Sequence, residues 1–246
     1  MGLVSSKSVL DAANEGRYAV GAFNVNNLEF AKAVIGAAVE ERAPIIVQVS
    51  ESAIAYAGMK QITGIVAGLA GGAGVPVALH LDHGRNWATI VQCIANGFTS
   101  VMIDGSHLTF DENVAITQKV VEVAHAAGVS VEAELGKLAG IEDYVVVDER
   151  DAFLTDPDEA LAFVEKTGVD ALAVAIGTSH GPRKFKGEPV LAIDLVSKIK
   201  EKVGIPLVLH GASGVPAEIM ELGERFGAAW GGSKGVPDSS IVDAIS

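Results

Sequence analysis

The chain reads as an α/β protein of the TIM (β/α)8 barrel class, a parallel sheet closed on itself, and three observations predict this. Seven short apolar runs each give way to a helical period, the alternation that builds parallel sheets covered by helices. Residues able to carry chemistry follow the third to the seventh of these runs, whereas an open doubly wound sheet gathers its site at one switch point. The 246 residues suit one such domain over 1–246, and a composition 49% hydrophobic, 5% aromatic and rich in glycine suits small-residue α/β packing.

The elements follow in order. Val4 to Glu15 spaces Val4, Val9, Leu10, Ala12 and Ala13 around a Ser-Ser start, as a short amphipathic helix does. Tyr18 to Asn24 is the first strand, and Asn26-Asn27 caps a helix over Leu28 to Glu41. Pro44 to Ser50 is the second strand, with one long small-residue helical stretch to about Ala73 behind it. Val77 to Leu81 is the third strand and Trp87 to Asn96 its helix; Thr99 to Ile103 is the fourth, with a helix from about Glu112 to Ala127. Val129 to Leu135 is the fifth. Gly136 to Asp156 carries no strong period and, at roughly twenty residues, exceeds an ordinary βα loop, so a functional lid is expected there. Thr155-Asp156-Pro157 opens a helix to Lys166, and Ala171 to Ile176 is the sixth strand. A second long connection, Gly177 to Pro189, precedes a helix over Asp194 to Lys202 and the seventh strand, Ile205 to Leu209. Helical segments around Pro216 to Phe226 and Asp238 to Ile245 follow. An eighth strand is due next, so the barrel is expected to be C-terminally truncated, lacking that strand and its helices.

The net charge of -13 argues against nucleic-acid and membrane partners, because the summed field repels polyanions. One cysteine, Cys93, allows neither an internal disulfide nor a cysteine zinc cluster, which fits a reducing cytoplasm. No signal-peptide core and no long apolar span is present.

His83, His180 and His210 each stand just beyond an apolar strand, so in a barrel they would converge on one rim. Three imidazoles with an open position make a catalytic zinc arrangement; the alternative is three unrelated rim histidines. His80 reads as a core or supporting histidine, His107 as a residue lining the site, and His125 as a solvated helix residue. Asp82, beside His83, is an acid/base candidate or a partner that orients a histidine, and Glu142, in the long loop, is a mobile base or a solvated acid. Asp104 and Glu134, ending strands four and five, suit a supporting role or a second metal position. Gly177, Gly181, Gly211 and Gly214, with Ser179 and Ser213, would let backbone amides approach an anion such as phosphate; singly, each glycine is an ordinary turn.

The runs HLDHG (80–84), EAELG (132–136), GIED (140–143), LTDP (154–157), GTSHG (177–181) with KFKGEP, and HGASGVP (210–216) resemble, in order and over nearly the whole chain, the class II fructose-bisphosphate aldolases and the similar tagatose-bisphosphate aldolases. The resemblance implies a divalent ion, Zn2+ or Co2+, on His83, His180 and His210, which polarises the ketone of dihydroxyacetone phosphate. Glu142 would take the proton from the adjacent carbon, and Asp82 would protonate the new alkoxide after attack on glyceraldehyde 3-phosphate. Asp104 and Glu134 match positions of a second or displaced metal. Ser179, Gly181, Gly211 and Ser213 match a phosphate site that also takes a monovalent cation, Na+ or K+, and Asn24 and Ser50 match rim positions near the substrate. Family members act in glycolysis as homo-oligomers, dimers or tetramers. The family's GI-K-N-D-T-D type eighth strand is absent, so an open, poorly stable or inactive chain is expected. Pro182-Arg183 also departs, standing where the family often has an aromatic. The function expected is cleavage of fructose 1,6-bisphosphate; alternatives are a tagatose 1,6-bisphosphate aldolase, an inactive fragment or regulatory homologue, or a metal-dependent hydrolase. A lysine Schiff-base aldolase is disfavoured, because no lysine ends an apolar strand.

Overall fold

A computed structural model describes residues 2–137, 139–142, 145–147, 153–180, 191–214, 216–228 and 235–246, the side chains of 139–142, 145–147 and 180 excepted. The chain divides into two compact units, Met1–Glu134 with Phe163–Leu172, and Leu135–Ala162 with Ala173–Ser246.

The first unit opens with helix α1 (Ser6–Gly16), which starts where the Ser5 hydroxyl accepts from the Ser8 amide. Strands β1 (Gly21–Asn24), β2 (Ile45–Ser50), β3 (Val77–Gly84), β4 (Ser100–Ile103) and β5 (Ser130–Leu135) lie parallel in sequence order. The last residue of β5 passes into the second unit. Between the strands run α2 (Leu28–Glu40), α3 (Glu51–Ala57), α4 (Met59–Ala73), α5 (Trp87–Ala95) and α6 (Phe110–Ala126). Near-continuous apolar strands are what a sheet buried on both faces requires, and Val47, Val49, Leu79, Leu81, Val101 and Met102 are fully buried.

The single helix expected after β2 is two. Ser50 caps α3 by accepting from the Ala53 amide, and Gly58, at φ +89°, breaks the helix before α4 with a 95° bend. Helix α6 begins earlier than expected because Thr109 and Glu112 form a reciprocal capping box. Cys93 is buried in α5, and burial, helped by the Glu51 charge, pushes its thiol up to about 12. Among the described residues no single helix is long and apolar enough to cross a membrane.

The N-terminal end of this sheet carries a buried polar layer. Gln48, His80, Ser100 and Ser130 stand at matched positions of β2 to β5. The Ser6 hydroxyl of α1 meets the Ser100 hydroxyl at 2.7 Å and the Ser130 hydroxyl at 2.8 Å, and Ser100 also meets His80 Nδ1 at 2.7 Å.

In the second unit, the connection expected to lack regular structure contains β6 (Ala139–Glu142) and β7 (Val145–Val147). They pair antiparallel, and β6 also runs parallel to β9 (Ser179–His180). Helix α7 (Pro157–Thr167) and strand β8 (Ala171–Val174) both span the division between units, and α8 (Ile193–Val203), β10 (Leu207–Val208), α9 (Ala217–Arg225) and α10 (Asp238–Ile245) follow.

Candidate functional site

The end of β3 builds the core of the site. Strict alternation along a strand would send Asp82 and His83 to opposite faces. Here the pairing of β3 with β4 shifts register between Leu81 and Gly84, and His83 adopts φ +45°, a conformation rare for a residue with a side chain. The left-handed residue brings both side chains to one place, with His83 Nε2 3.9 Å from Asp82 Oδ1 and both residues buried. Such strain persists only where surroundings impose it, and it concentrates at functional positions. Gly84 completes the turn because a Cβ there would lie 2.5 Å from the Met102 carbonyl oxygen and 2.7 Å from Leu81.

Asp82 is gripped by two amides. Asn24 Nδ2 donates to Oδ2 at 2.6 Å and Gln48 Nε2 to Oδ1 at 3.1 Å, so neighbouring strands β1 and β2 fix the orientation of the carboxylate. Asn24 also belongs to the wall of an open cavity of about 350 Å³ lined by Phe30, Ser50, Ser52 and Tyr56. Ser50 lies in the same wall, caps α3 and lies 2.9 Å from the Ser52 hydroxyl.

His83, Asp104 and Glu134 converge from β3, the end of β4, and β5. His83 Nδ1 lies 3.3 Å from Asp104 Oδ2 and 3.6 Å from Glu134 Oε2, and all three residues are buried. Donors bound to one zinc-sized ion at about 2.1 Å stand about 3.4 Å apart, so imidazole and carboxylates at this spacing form a donor set for a borderline divalent cation. Burial alone would push the Asp104 carboxyl up. Hydrogen bonding to His83, the charges of His83 and Arg85, and the Ser106 hydroxyl outweigh it and hold the group far below the usual carboxylate range. Arg85 donates to Asp104 through Nε at 2.8 Å and through Nη2, while Ser106 donates its amide at 3.1 Å and its hydroxyl at 2.6 Å.

Other expected residues fall as follows. His80 is buried against Ser100, as a core histidine. His107 is exposed, and His125 is not merely solvated, since its Nε2 lies 2.8 Å from Asp170. In the second unit His210 is buried beyond β10 and Ser213 is exposed. Gly211, at φ +62°, lies so close to Ser179 that a Cβ would meet its backbone at 2.7 Å, which explains the glycine after His210. Gly181 and the side chains of Glu142 and His180 lie outside the described residues.

Three residues of the site carried no expectation: Gln48, Arg85 and Ser106. Gln48 could have been found as the polar interruption of the apolar run IIVQVS, and Arg85 as the cation that directly follows HLDHG.

An imidazole and carboxylates buried together at the carboxyl ends of parallel strands, spaced so that they could hold a divalent ion, are what a metal-dependent α/β enzyme needs. The model of the class-II fructose-bisphosphate aldolases matches residues 4–229. The chain is 50% identical over 244 residues to the fructose-bisphosphate aldolase of Thermus caldophilus, covering 99% of this chain and 80% of that protein. It is 48% identical over 248 residues to that of Giardia intestinalis, covering 100% and 76%. Among solved structures, the YdjI aldolase from Escherichia coli K12 superposes with a TM-score of 0.80 at 34% identity, covering 99% of this chain and 78% of that one. The chain belongs to the class-II fructose-bisphosphate aldolase family, and its α/β fold is that of the TIM-barrel aldolases, as the sequence led us to expect.

Proposed function

We propose that this protein cleaves fructose 1,6-bisphosphate to dihydroxyacetone phosphate and glyceraldehyde 3-phosphate, and catalyses the reverse condensation, as a metal-dependent enzyme of glycolysis. The observation that carries this is the pairing of Asp82 with His83 beside the Asp104 and Glu134 carboxylates, in a chain of this family. His83, His180 and His210 would hold Zn2+ or Co2+. When bound, the ion supplies a Lewis acid for the ketone of the substrate.

The remaining chemistry belongs to side chains. Held by Asn24 and Gln48, the Asp82 carboxylate accepts the proton of the hydroxyl on the carbon that becomes the aldehyde, while the bond to its neighbour breaks. Glu142 exchanges the proton of the adjacent carbon, giving it to the three-carbon ketone in cleavage and taking it in condensation. Asp104 and Glu134 orient His83 or hold a second ion. Asn24 and Ser50 line the cavity that would take the sugar, and Ser179, Gly181, Gly211 and Ser213 would hold a phosphate, with Na+ or K+ sharing its charge. A cytoplasmic homo-oligomer, dimer or tetramer, completes the proposal.

A coupled assay of triose phosphate release from fructose and tagatose bisphosphates, with and without chelator, tests it. Calorimetry of metal and bisphosphate binding reports on the site without requiring turnover. Metal-dependent cleavage that prefers fructose bisphosphate and is lost in His180→Ala is expected. Cleavage that survives full chelation, or a chain that binds neither metal nor bisphosphate, overturns the reading.

A further inference from the structure

The position of Arg85 sets what Asp104 can do. Its backbone amide donates to Glu51 Oε1 at 3.2 Å, and the next amide, of Asn86, donates to the same oxygen at 3.0 Å, so the chain at Arg85 is tied to the start of α3. Its guanidinium then reaches Asp104, placing Nε at 2.8 Å and Nη2 on the single oxygen Oδ2. That is the oxygen His83 Nδ1 faces at 3.3 Å. The other oxygen, Oδ1, is taken by the amide and hydroxyl of Ser106. A carboxylate offers about four lone-pair positions, and five donor groups surround this one. A carboxylate ringed in this way can only accept, so His83 Nδ1 carries the proton and Nε2 is the nitrogen whose lone pair a metal would take.

We infer that Arg85 serves as a built-in cation in place of a second divalent ion: it saturates Asp104, withdraws it from metal binding, and makes it the support that fixes the His83 tautomer. The inference rests on the proposed metal site at His83. Arg85 is a positioning residue, acting on His83 through Asp104. The charge it supplies is partly exposed at the side of the site, whereas Asp104 is buried, so the guanidinium compensates the carboxylate from outside. Without it, the Asp104 and Glu134 carboxylates stand within reach of one divalent ion, and Asp104 loses the cation that the structure sets on it.

The test is titration with Co2+ alone, followed by its absorption spectrum and by calorimetry. The wild-type chain is expected to take one equivalent, lost in His83→Ala. Arg85→Ala is expected to take a second, with an affinity at least about tenfold above any second binding by wild type and a distinct spectrum, and Arg85→Ala with Asp104→Asn is expected to lose it. Arg85→Gln, which keeps the length and removes the charge, gives the same second equivalent and serves if the alanine variant fails to fold. Arg85→Lys, which restores a cation, is expected to bind one equivalent as wild type does. Two equivalents in wild type, or one in both Arg85→Ala and Arg85→Gln, overturns the inference while leaving the first site standing. No Co2+ bound by wild type removes the proposed metal site and this inference with it.

Discussion

Strands β3, β4 and β5 of the first unit carry two buried polar layers, one at each end, and only one of them has the makings of a catalytic centre. The layer at the N-terminal end joins Ser6, Ser100, Ser130 and His80, with Glu132 3.8 Å from His80 Nε2. The layer at the C-terminal end places Asp82, Asp104 and Glu134 around His83, with Arg85 alongside. Burial does not separate them, since His80 and Ser100 are as inaccessible as Asp104. Chemistry does. A hydroxyl both donates and accepts, so serines and an imidazole can close a network among themselves. Three carboxylates, Asp82, Asp104 and Glu134, gather at the imidazole of the C-terminal layer, a concentration of negative charge that favours a cation, whereas the N-terminal layer brings one, Glu132, near its own. What distinguishes a site from a polar core in this protein is the number of carboxylates gathered on one imidazole, not the presence of polar groups.

The sharpest way to break this contrast is at Asp82. Asp82→Asn keeps the size and the contact with one amide donor but removes the proton acceptor, so kcat is expected to fall on the order of 10² to 10⁴-fold. The Co2+ stoichiometry should stay at one, because Asp82 is assigned a proton and not the metal. Lost metal binding in Asp82→Asn would merge the two roles and remove the distinction between Asp82 and His83.

The opposite behaviour is expected of the N-terminal layer. Ser100→Ala removes a 2.7 Å partner from buried His80 Nδ1, while the Ser6 hydroxyl keeps Ser130 at 2.8 Å, and a buried polar group that loses its hydrogen bond costs about 1–3 kcal/mol. A fall in the denaturation midpoint with unchanged metal affinity and unchanged kcat fits a structural layer. A changed kcat in a protein that remains folded would instead tie the two ends together.

How far these layers were legible in the sequence follows from the same physics. The parallel alternation was plain because buried strands need unbroken apolar runs such as VALHL, and Asp82, Asp104 and Glu134 stood out because carboxylates at the ends of such runs need a reason. The closeness of Asp82 to His83 was not legible. Period-two alternation puts them on opposite faces, and only the positive φ at His83 and the register shift beside it bring them together. Arg85 escaped notice because its role depends on reaching Asp104 at the end of the next strand, and Ser106 because a serine two residues after an aspartate reads as an ordinary turn. The break at Gly58 was hidden by the helix-forming residues on both sides of it, and the β6 and β7 pair by a stretch too short and too mixed to show a period.

The smallest expected effect comes from a third polar pair, at the end of the first unit where the serine layer lies. His125 Nε2 meets Asp170 Oδ2 at 2.8 Å, but the His125 side chain is 42% exposed, against 2% for His80. Asp170 keeps a second bond whatever happens to the histidine, because its Oδ2 also accepts from the Val131 amide at 2.8 Å. His125→Ala therefore strands no buried group, and an exposed pair of this kind contributes under about 1 kcal/mol. Chemical denaturation at low and high salt is expected to show a small loss that shrinks as salt rises, beside the larger and salt-insensitive loss in Ser100→Ala. Equal losses in the two variants would mean that burial is not what gives the serine layer its weight, and the contrast between the two ends of the sheet would then have to rest on charge alone.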